Sequence, residues 1–165
     1  MKMYELCFSP TGGTQKTADI LTGAWGDELV RVDLTDSKTN FGTVALTQED
    51  ITVIAVPSYG GRVPAAAVER LAAIRGNGAR AVLLCVYGNR AYEDTLAELQ
   101  DTAKQAGFRV IGAVAAVAEH SIARQFAAGR PDEEDVRQLS RFAEQIRAKL
   151  SAGDTREPTI PGNRP

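Results

Sequence analysis

The 165 residues include only two cysteines and one histidine, and both scarcities exclude chemistry. An iron–sulfur cluster needs four ligands, and one histidine cannot supply a His-rich metal site, so Cys7, Cys85 and His120 build neither. No Ser-His-Asp arrangement or cluster of metal ligands stands in the sequence. Charge of one sign is lacking too. Lys and Arg total 19 against 21 Asp and Glu, a net charge of −2 with no basic run, so nucleic acid is not an expected partner. No apolar run approaches the roughly 18 residues of a membrane span. Met1 to Phe8, with Glu5 inside it, is too short for a signal peptide. Cys7 and Cys85 fall inside predicted strands with a third strand between them. A separation of roughly 9–10 Å is too long for a disulfide, so buried thiols in a reducing cytoplasm are expected.

What the chain has is 44% hydrophobic and 24% charged residues at a length that suits one domain. Strand and helix signals alternate throughout. Strands are predicted at Tyr4–Phe8, Leu29–Leu34, Ile51–Val56, Ala81–Tyr87 and Val110–Val117. The second alternates apolar and polar residues, as an edge strand does, whereas the third and fourth are nearly continuous apolar runs suited to burial on both faces. Helices are predicted at Gln15–Trp25, from Pro64 to before Gly76, at Tyr92–Ala106 with Gly107 as its stop, and at Glu133–Leu150. The last of these has acidic residues at its positive end and Arg147 and Lys149 at its negative end. Residues 35–49 read as a polar connection. The alternation implies a doubly wound α/β fold: five parallel strands in the order 2-1-3-4-5 between two helical layers, over residues 1–150. Residues 151–165, rich in Gly and Pro, read as a flexible tail or linker.

In such a sheet, ligands bind beyond the carboxyl ends of the strands. Ser9-Pro10-Thr11-Gly12-Gly13-Thr14 follows the first strand. The hydroxyls of Ser9, Thr11 and Thr14, the Gly12 and Gly13 amides and the helix N-terminus offer donors and positive potential to a phosphate. The loop has no Lys or Arg, which suits a terminal monoester phosphate, and it is not G-x-x-x-x-G-K-[ST]. The same residues also suit a capped turn at the start of any αβ unit. Pro57-Ser58-Tyr59-Gly60-Gly61-Arg62-Val63-Pro64 follows the third strand, and Tyr87-Gly88-Asn89-Arg90-Ala91-Tyr92 the fourth. Each of these also reads as a turn before a helix.

Together the three loops resemble flavodoxins over residues 3–150, in their short-chain form. The loops after strands three and four, Glu119-His120-Ser121-Ile122-Ala123 and Gly129-Arg130-Pro131 are similar to flavodoxin domains that anaerobes fuse to a two-cluster ferredoxin module, into which a tail like Pro161–Pro165 would continue. The resemblance implies FMN as cofactor. Ser9, Thr11, Gly12, Gly13 and Thr14 would hold its phosphate. Pro57, Ser58, Tyr59, Gly60 and Gly61 would hold one side of its ring, and Tyr87, Gly88, Asn89, Arg90 and Tyr92 the other side and the pyrimidine edge. It also implies that a Tyr59 or Gly60 carbonyl accepts a hydrogen bond from flavin N5–H on one-electron reduction. The implied role is electron transfer by a cytoplasmic monomer between redox partner proteins, a ferredoxin or ferredoxin-like domain among them. The alternative is an FMN-dependent NAD(P)H or quinone reductase, although the tyrosines suggest that both ring faces are covered.

Arg62 and Arg90 are expected to flank the ring and raise its lower potential. His120, with Arg124 and Arg130, lies on the same rim as a roof, docking surface or proton donor, or simply as a packing residue. Other chemistries of the same topology fail by residue. Ser9-Pro10 and Pro57-Ser58 replace the acidic residues a phosphoacceptor domain needs, and Gly13 stands where Cys-x5-Arg would require Arg.

Overall fold

The computed structural model describes residues 2–25, 28–88, 93–117 and 132–160. The elements run β1 (Met3–Cys7), α1 (Gly13–Gly23), β2 (Leu29–Asp33), β3 (Ile51–Pro57), α2 (Ala65–Ala73), β4 (Arg80–Tyr87), α3 (Glu93–Gln105), β5 (Arg109–Val117) and α4 (Glu133–Ser151). The sheet has five parallel strands in the expected order β2-β1-β3-β4-β5. β3 and β4 are buried on both faces along almost their whole length, and β2 is the half-exposed edge. Alternate residues divide the core. Leu6, Ile54 and Leu83 pack with Leu71, Leu96 and Leu99 of α2 and α3. Val53, Ala55 and Leu84 pack with Leu21 of α1 and Leu139 and Ile146 of α4. Burying a side chain of this size contributes about 1.5–3 kcal/mol, so each helix is held mainly through its apolar stripe.

Cys7 and Cys85 are free and buried as expected. Their alternation puts them in opposite core layers, with β3 between their strands. Burial pushes the Cys85 thiol up to about 12. Burial, and next the Glu5 charge, pushes Cys7 higher still. Neither thiol offers a thiolate nucleophile near neutral pH.

Differences from the sequence reading lie at element ends. α1 starts two residues before Gln15 because Gly12, at φ 91°, turns the chain into the helix without a capping side chain of its own. α2 stops at Ala73 because Ile74 leaves in an extended conformation to bury its side chain, and Arg75 bridges to Ala45. The connection 35–49 contains a single 3-10 turn, Phe41–Thr43, with Phe41 and Leu46 buried beneath it. β5 carries a bulge: Ala81 pairs with Val110 but Val82 with Gly112, so Ile111 is the extra residue. Its carbonyl accepts from Lys149 Nζ at 2.7 Å. The described part of the C-terminal segment, 152–160, has no strand or helix. Glu157 accepts from Gln100 Nε2 (2.6 Å) and Lys104 Nζ (3.2 Å), and Ile160 joins the core.

α4 begins with a capping box in which Asp132 and Asp135 each accept the other's backbone N–H, at 3.0 and 2.9 Å. Trp25 locks α1 to α4: its indole N–H donates to the Ala143 carbonyl at 2.9 Å, and Arg147 donates to the Trp25 carbonyl at 2.6 Å. No described helix is long and apolar enough to cross a membrane. Trp25→Ala is expected to cost about 3–5 kcal/mol, and Trp25→Phe, which keeps the ring contact, about 1 kcal/mol. Urea unfolding of both variants checks the ratio.

Candidate functional site

The parallel sheet brings the ends of β1, β3 and β4 to one rim. Cys7 pairs with Ala55 and Pro57 with Val86, so their following loops stand one strand spacing apart, about 4.8 Å. Phe8 N–H donates to Ala55 O (3.0 Å) and Ser58 N–H to Val86 O (2.9 Å), which extends the sheet to the loop entrances.

The loop after β1 is held from outside. Ser9 N–H donates to Thr35 Oγ1 at 2.8 Å, and Thr35 N–H donates to Asp33 Oδ1 at 2.9 Å. Ser9 Oγ reaches across the turn and accepts Gln15 N–H at 3.0 Å, which leaves its own hydroxyl proton to donate. Among the described residues no acceptor meets the N–H groups of Thr11, Gly12, Gly13 or Thr14. A helix N-terminus open in this way, with hydroxyls at 9, 11 and 14 and no charged side chain between them, is suited to an anion. Thr11 and Gly12 are exposed, Gly13 is half-buried and Thr14 is buried.

After β3 the chain forms a two-residue hairpin. Tyr59 N–H donates to Arg62 O (2.9 Å), and Arg62 N–H to Tyr59 O (3.1 Å). Gly60 and Gly61 sit at φ 58° and 78°, the signature of a type I′ turn, which residues other than Gly, Asn and Asp adopt only with strain. Because the Tyr59 carbonyl is engaged, the Gly60 carbonyl is the one free to turn. Tyr59 itself is 40% exposed. Pro57 closes β3 half-buried, and the Ser58 hydroxyl shares a hydrogen bond with Thr95 Oγ1 at 2.7 Å.

Arg62 does not stand as a free cation beside this loop. Its Nε and Nη2 donate to Glu98 Oε1 and Oε2 at 3.0 and 2.8 Å, and Asp94 adds a second negative field. Glu98 Oε1 also accepts Val63 N–H at 2.9 Å. The guanidinium hydrogen bond holds the Glu98 carboxyl below its usual range. The positive charge expected at position 62 is therefore cancelled locally. Tyr87 ends β4 half-buried and Gly88 is buried. Asn89, Arg90 and Tyr92, like His120, Arg124 and Arg130, lie outside the described residues. Among the described residues no cluster of His, Cys, Asp or Glu suits a metal ion.

The sequence reading missed a buried carboxylate beneath the first loop. Glu5, in the middle of β1, is 1% exposed. It accepts from Gln15 Nε2 (2.5 Å) and Thr22 Oγ1 (3.0 Å), with Arg31 Nε 3.6 Å away. Gln15 Nε2 also reaches Asp19 Oδ1 at 2.8 Å. Thus Gln15 is capped by Ser9 through its backbone and tied to Glu5 through its side chain. Thr35, Thr95 and Glu98 were missed as well. Their signal was faint: Thr95 and Glu98 lie three apart on a helix, the spacing of an ordinary polar face.

Among solved structures, the chain is similar to a flavodoxin of Streptococcus pneumoniae TIGR4, with 23% identity over 90% of this chain and 99% of that one, at TM-score 0.61. A Fusobacterium nucleatum flavodoxin bound to flavin mononucleotide gives 14%, 90%, 99% and 0.58. An azoreductase from Bacillus anthracis Sterne gives 11%, 90%, 100% and 0.58. The shared property is the flavodoxin-like fold. No protein-family model matches the chain, and no curated protein matches its sequence.

Burial, chiefly, raises the Glu5 pKa above its ordinary 4.5; the Gln15 hydrogen bond opposes this, and the Asp19 charge adds to it. A raised carboxyl pKa makes the folded state bind its proton more tightly. Its contribution to stability is therefore present below about 4.5 and is lost as pH rises through the folded value. Glu5→Gln should remove that decline, so the variant loses less stability than wild type between pH 5 and 8. Urea midpoints across that range test it.

Proposed function

We propose that this chain is an FMN-binding electron carrier that passes electrons between redox partner proteins, a ferredoxin or ferredoxin-like domain among them, with residues 1–150 as the flavin domain. The reading is carried by one juxtaposition. An open helix N-terminus lined with hydroxyls stands one strand away from a Gly-Gly hairpin fronted by an exposed tyrosine. FMN needs both a site for a terminal phosphate and a wall with backbone polar groups for its ring.

In this reading Ser9, Thr11, Gly12, Gly13 and Thr14 hold the phosphate by donation alone. Pro57 to Gly61 form one side of the ring site, and Tyr87, Gly88, Asn89, Arg90 and Tyr92 the other. Bound FMN supplies the one- and two-electron chemistry. The protein's contribution is a turn with two states. Rotating the central Gly60–Gly61 peptide converts type I′ into type II′, which needs φ > 0 only at Gly60. Both Tyr59–Arg62 hydrogen bonds survive that rotation, so the loop can offer either a carbonyl or an N–H to the ring edge.

The fold also carries an azoreductase, so an FMN-dependent NAD(P)H or quinone reductase is the second reading. Steady turnover of NADH or NADPH with a quinone and no partner protein would favour it; stoichiometric reduction by a reductase partner alone favours the carrier.

The test begins with titration of flavin-free protein with FMN and mass measurement of the retained flavin. One FMN per chain is expected; FAD, or no uptake, overturns the reading. Thr14→Ala or Thr11→Ala should weaken FMN binding by about 1–3 kcal/mol, measured in the same titration. Gly60→Ala strains both turn types, whereas Gly61→Ala strains only type I′. The first should therefore weaken binding in every oxidation state, and the second should shift the one-electron potential.

A further inference from the structure

Helix α3 begins just past the segment that follows Tyr87-Gly88, so its first turns lie beside the rim, and two of its residues grip the neighbouring loop. Thr95 Oγ1 meets Ser58 Oγ at 2.7 Å, at the entrance to the Tyr59–Arg62 hairpin. One turn later Glu98 meets its exit, taking Arg62 Nε and Nη2 at 3.0 and 2.8 Å and Val63 N–H at 2.9 Å. The Glu98 side chain is only 13% exposed while that of Arg62 is 56% exposed. The carboxylate is thus the inner, fixed partner and the guanidinium the outer one. A charge-assisted bidentate pair in partial shelter is stronger and better oriented than an ordinary surface pair. With a backbone N–H on the same oxygen, it restrains the hairpin as a body and does more than tether one side chain.

We propose that Glu98 is a positioning residue for the flavin loop: it clamps the Tyr59–Arg62 hairpin to α3 and cancels the Arg62 charge beside the ring. The electrostatic half rests on the FMN reading above; the clamp does not. Reduction adds negative charge to a bound flavin, so an unpaired cation at the hairpin eases it and an unpaired carboxylate opposes it. Arg62 and Glu98 are of opposite sign, and removing either one exposes the other.

The experiment uses Glu98→Ala, Glu98→Gln, Arg62→Gln and the double variant Arg62→Gln/Glu98→Gln. Hydrogen exchange of the Val63 amide in flavin-free protein reads the clamp. Glu98→Ala should speed it about tenfold or more relative to global unfolding controls, and Arg62→Gln should leave it near wild type because the carboxylate still accepts that N–H. Potentiometry of the FMN-loaded proteins reads the charge. The lower flavin couple should rise in Glu98→Gln, fall in Arg62→Gln and return toward wild type in the double variant, with all shifts shrinking in high salt. Arg62 is largely exposed, so its variant keeps the test available if a Glu98 variant fails to fold.

Unchanged Val63 exchange in Glu98→Ala together with unmoved potentials overturns the proposal. Potentials that move in the same direction in both single variants overturn the charge cancellation. Failure of wild type to take up FMN overturns the flavin reading instead, and the Val63 result then decides the clamp alone.

Discussion

Every feature of the rim follows from burying a parallel sheet on both faces. Strands that run the same way must be joined by crossovers, and the joining helices must return over the faces. All five strand C-termini then point to one edge, and the helices that follow β1, β3 and β4 start there. An α-helix begins with N–H groups that its own turns cannot satisfy. The core that demands continuous Val, Leu and Ile runs in β3 and β4 therefore also collects unsatisfied donors at a single edge. In α1 these donors meet hydroxyls rather than charges, and the Ser9 hydroxyl takes only the Gln15 N–H, leaving the rest directed outward.

On the proposed reading, such a rim is rigid where it presents donors and turns where it answers the ring. The rigid part is secured by polar groups placed beneath it. Glu5 is a costly residue in the middle of a buried strand, and its cost is offset by Gln15 and Thr22 donors with Arg31 nearby. Through Gln15 this network ends at the third residue of α1, the same residue that Ser9 caps. In the proposed reading the part that turns is a single peptide, Gly60–Gly61, bracketed by two backbone hydrogen bonds and by the contacts of Ser58, Arg62 and Val63 to α3. Restraint on both flanks confines any change to the central peptide.

Much of this was legible in the sequence, for definite reasons. The β-branched and apolar runs of β3 and β4 and the alternation of β2 each have one physical reading, so strand order and burial follow from them. The open start of α1 was legible because Gly12 and Gly13 stand between hydroxyl residues just after a strand. Element ends were less so: α2 stops at Ala73, ahead of Gly76, because Ile74 gains more from burial than from another helical turn. Least legible were side-chain partners across long separations. Arg62 and Glu98 are 36 residues apart, and no local pattern announces that they meet. Reading Arg62 by itself yields an unpaired cation; with Glu98 present, that charge is cancelled where it stands.

Charge at the rim is thus a property of pairs. The chain's net charge is only −2, unlike the strongly acidic surfaces usual among flavodoxins, but the net figure says little about the field at one loop. At the hairpin, one guanidinium faces Glu98 at hydrogen-bond distance and Asp94 within its field, so these described charges sum to zero or negative even where the sequence places an arginine. Screening acts over roughly 8–10 Å at ordinary ionic strength, so paired groups within a few ångströms govern the field at the hairpin, while distant surface charge would govern encounter with a partner in the proposed reading. On the proposed reading, a nearly balanced chain can therefore keep a locally neutral or acidic setting at the Tyr59–Arg62 hairpin and still dock on partners of a different character from those that a uniformly acidic surface selects.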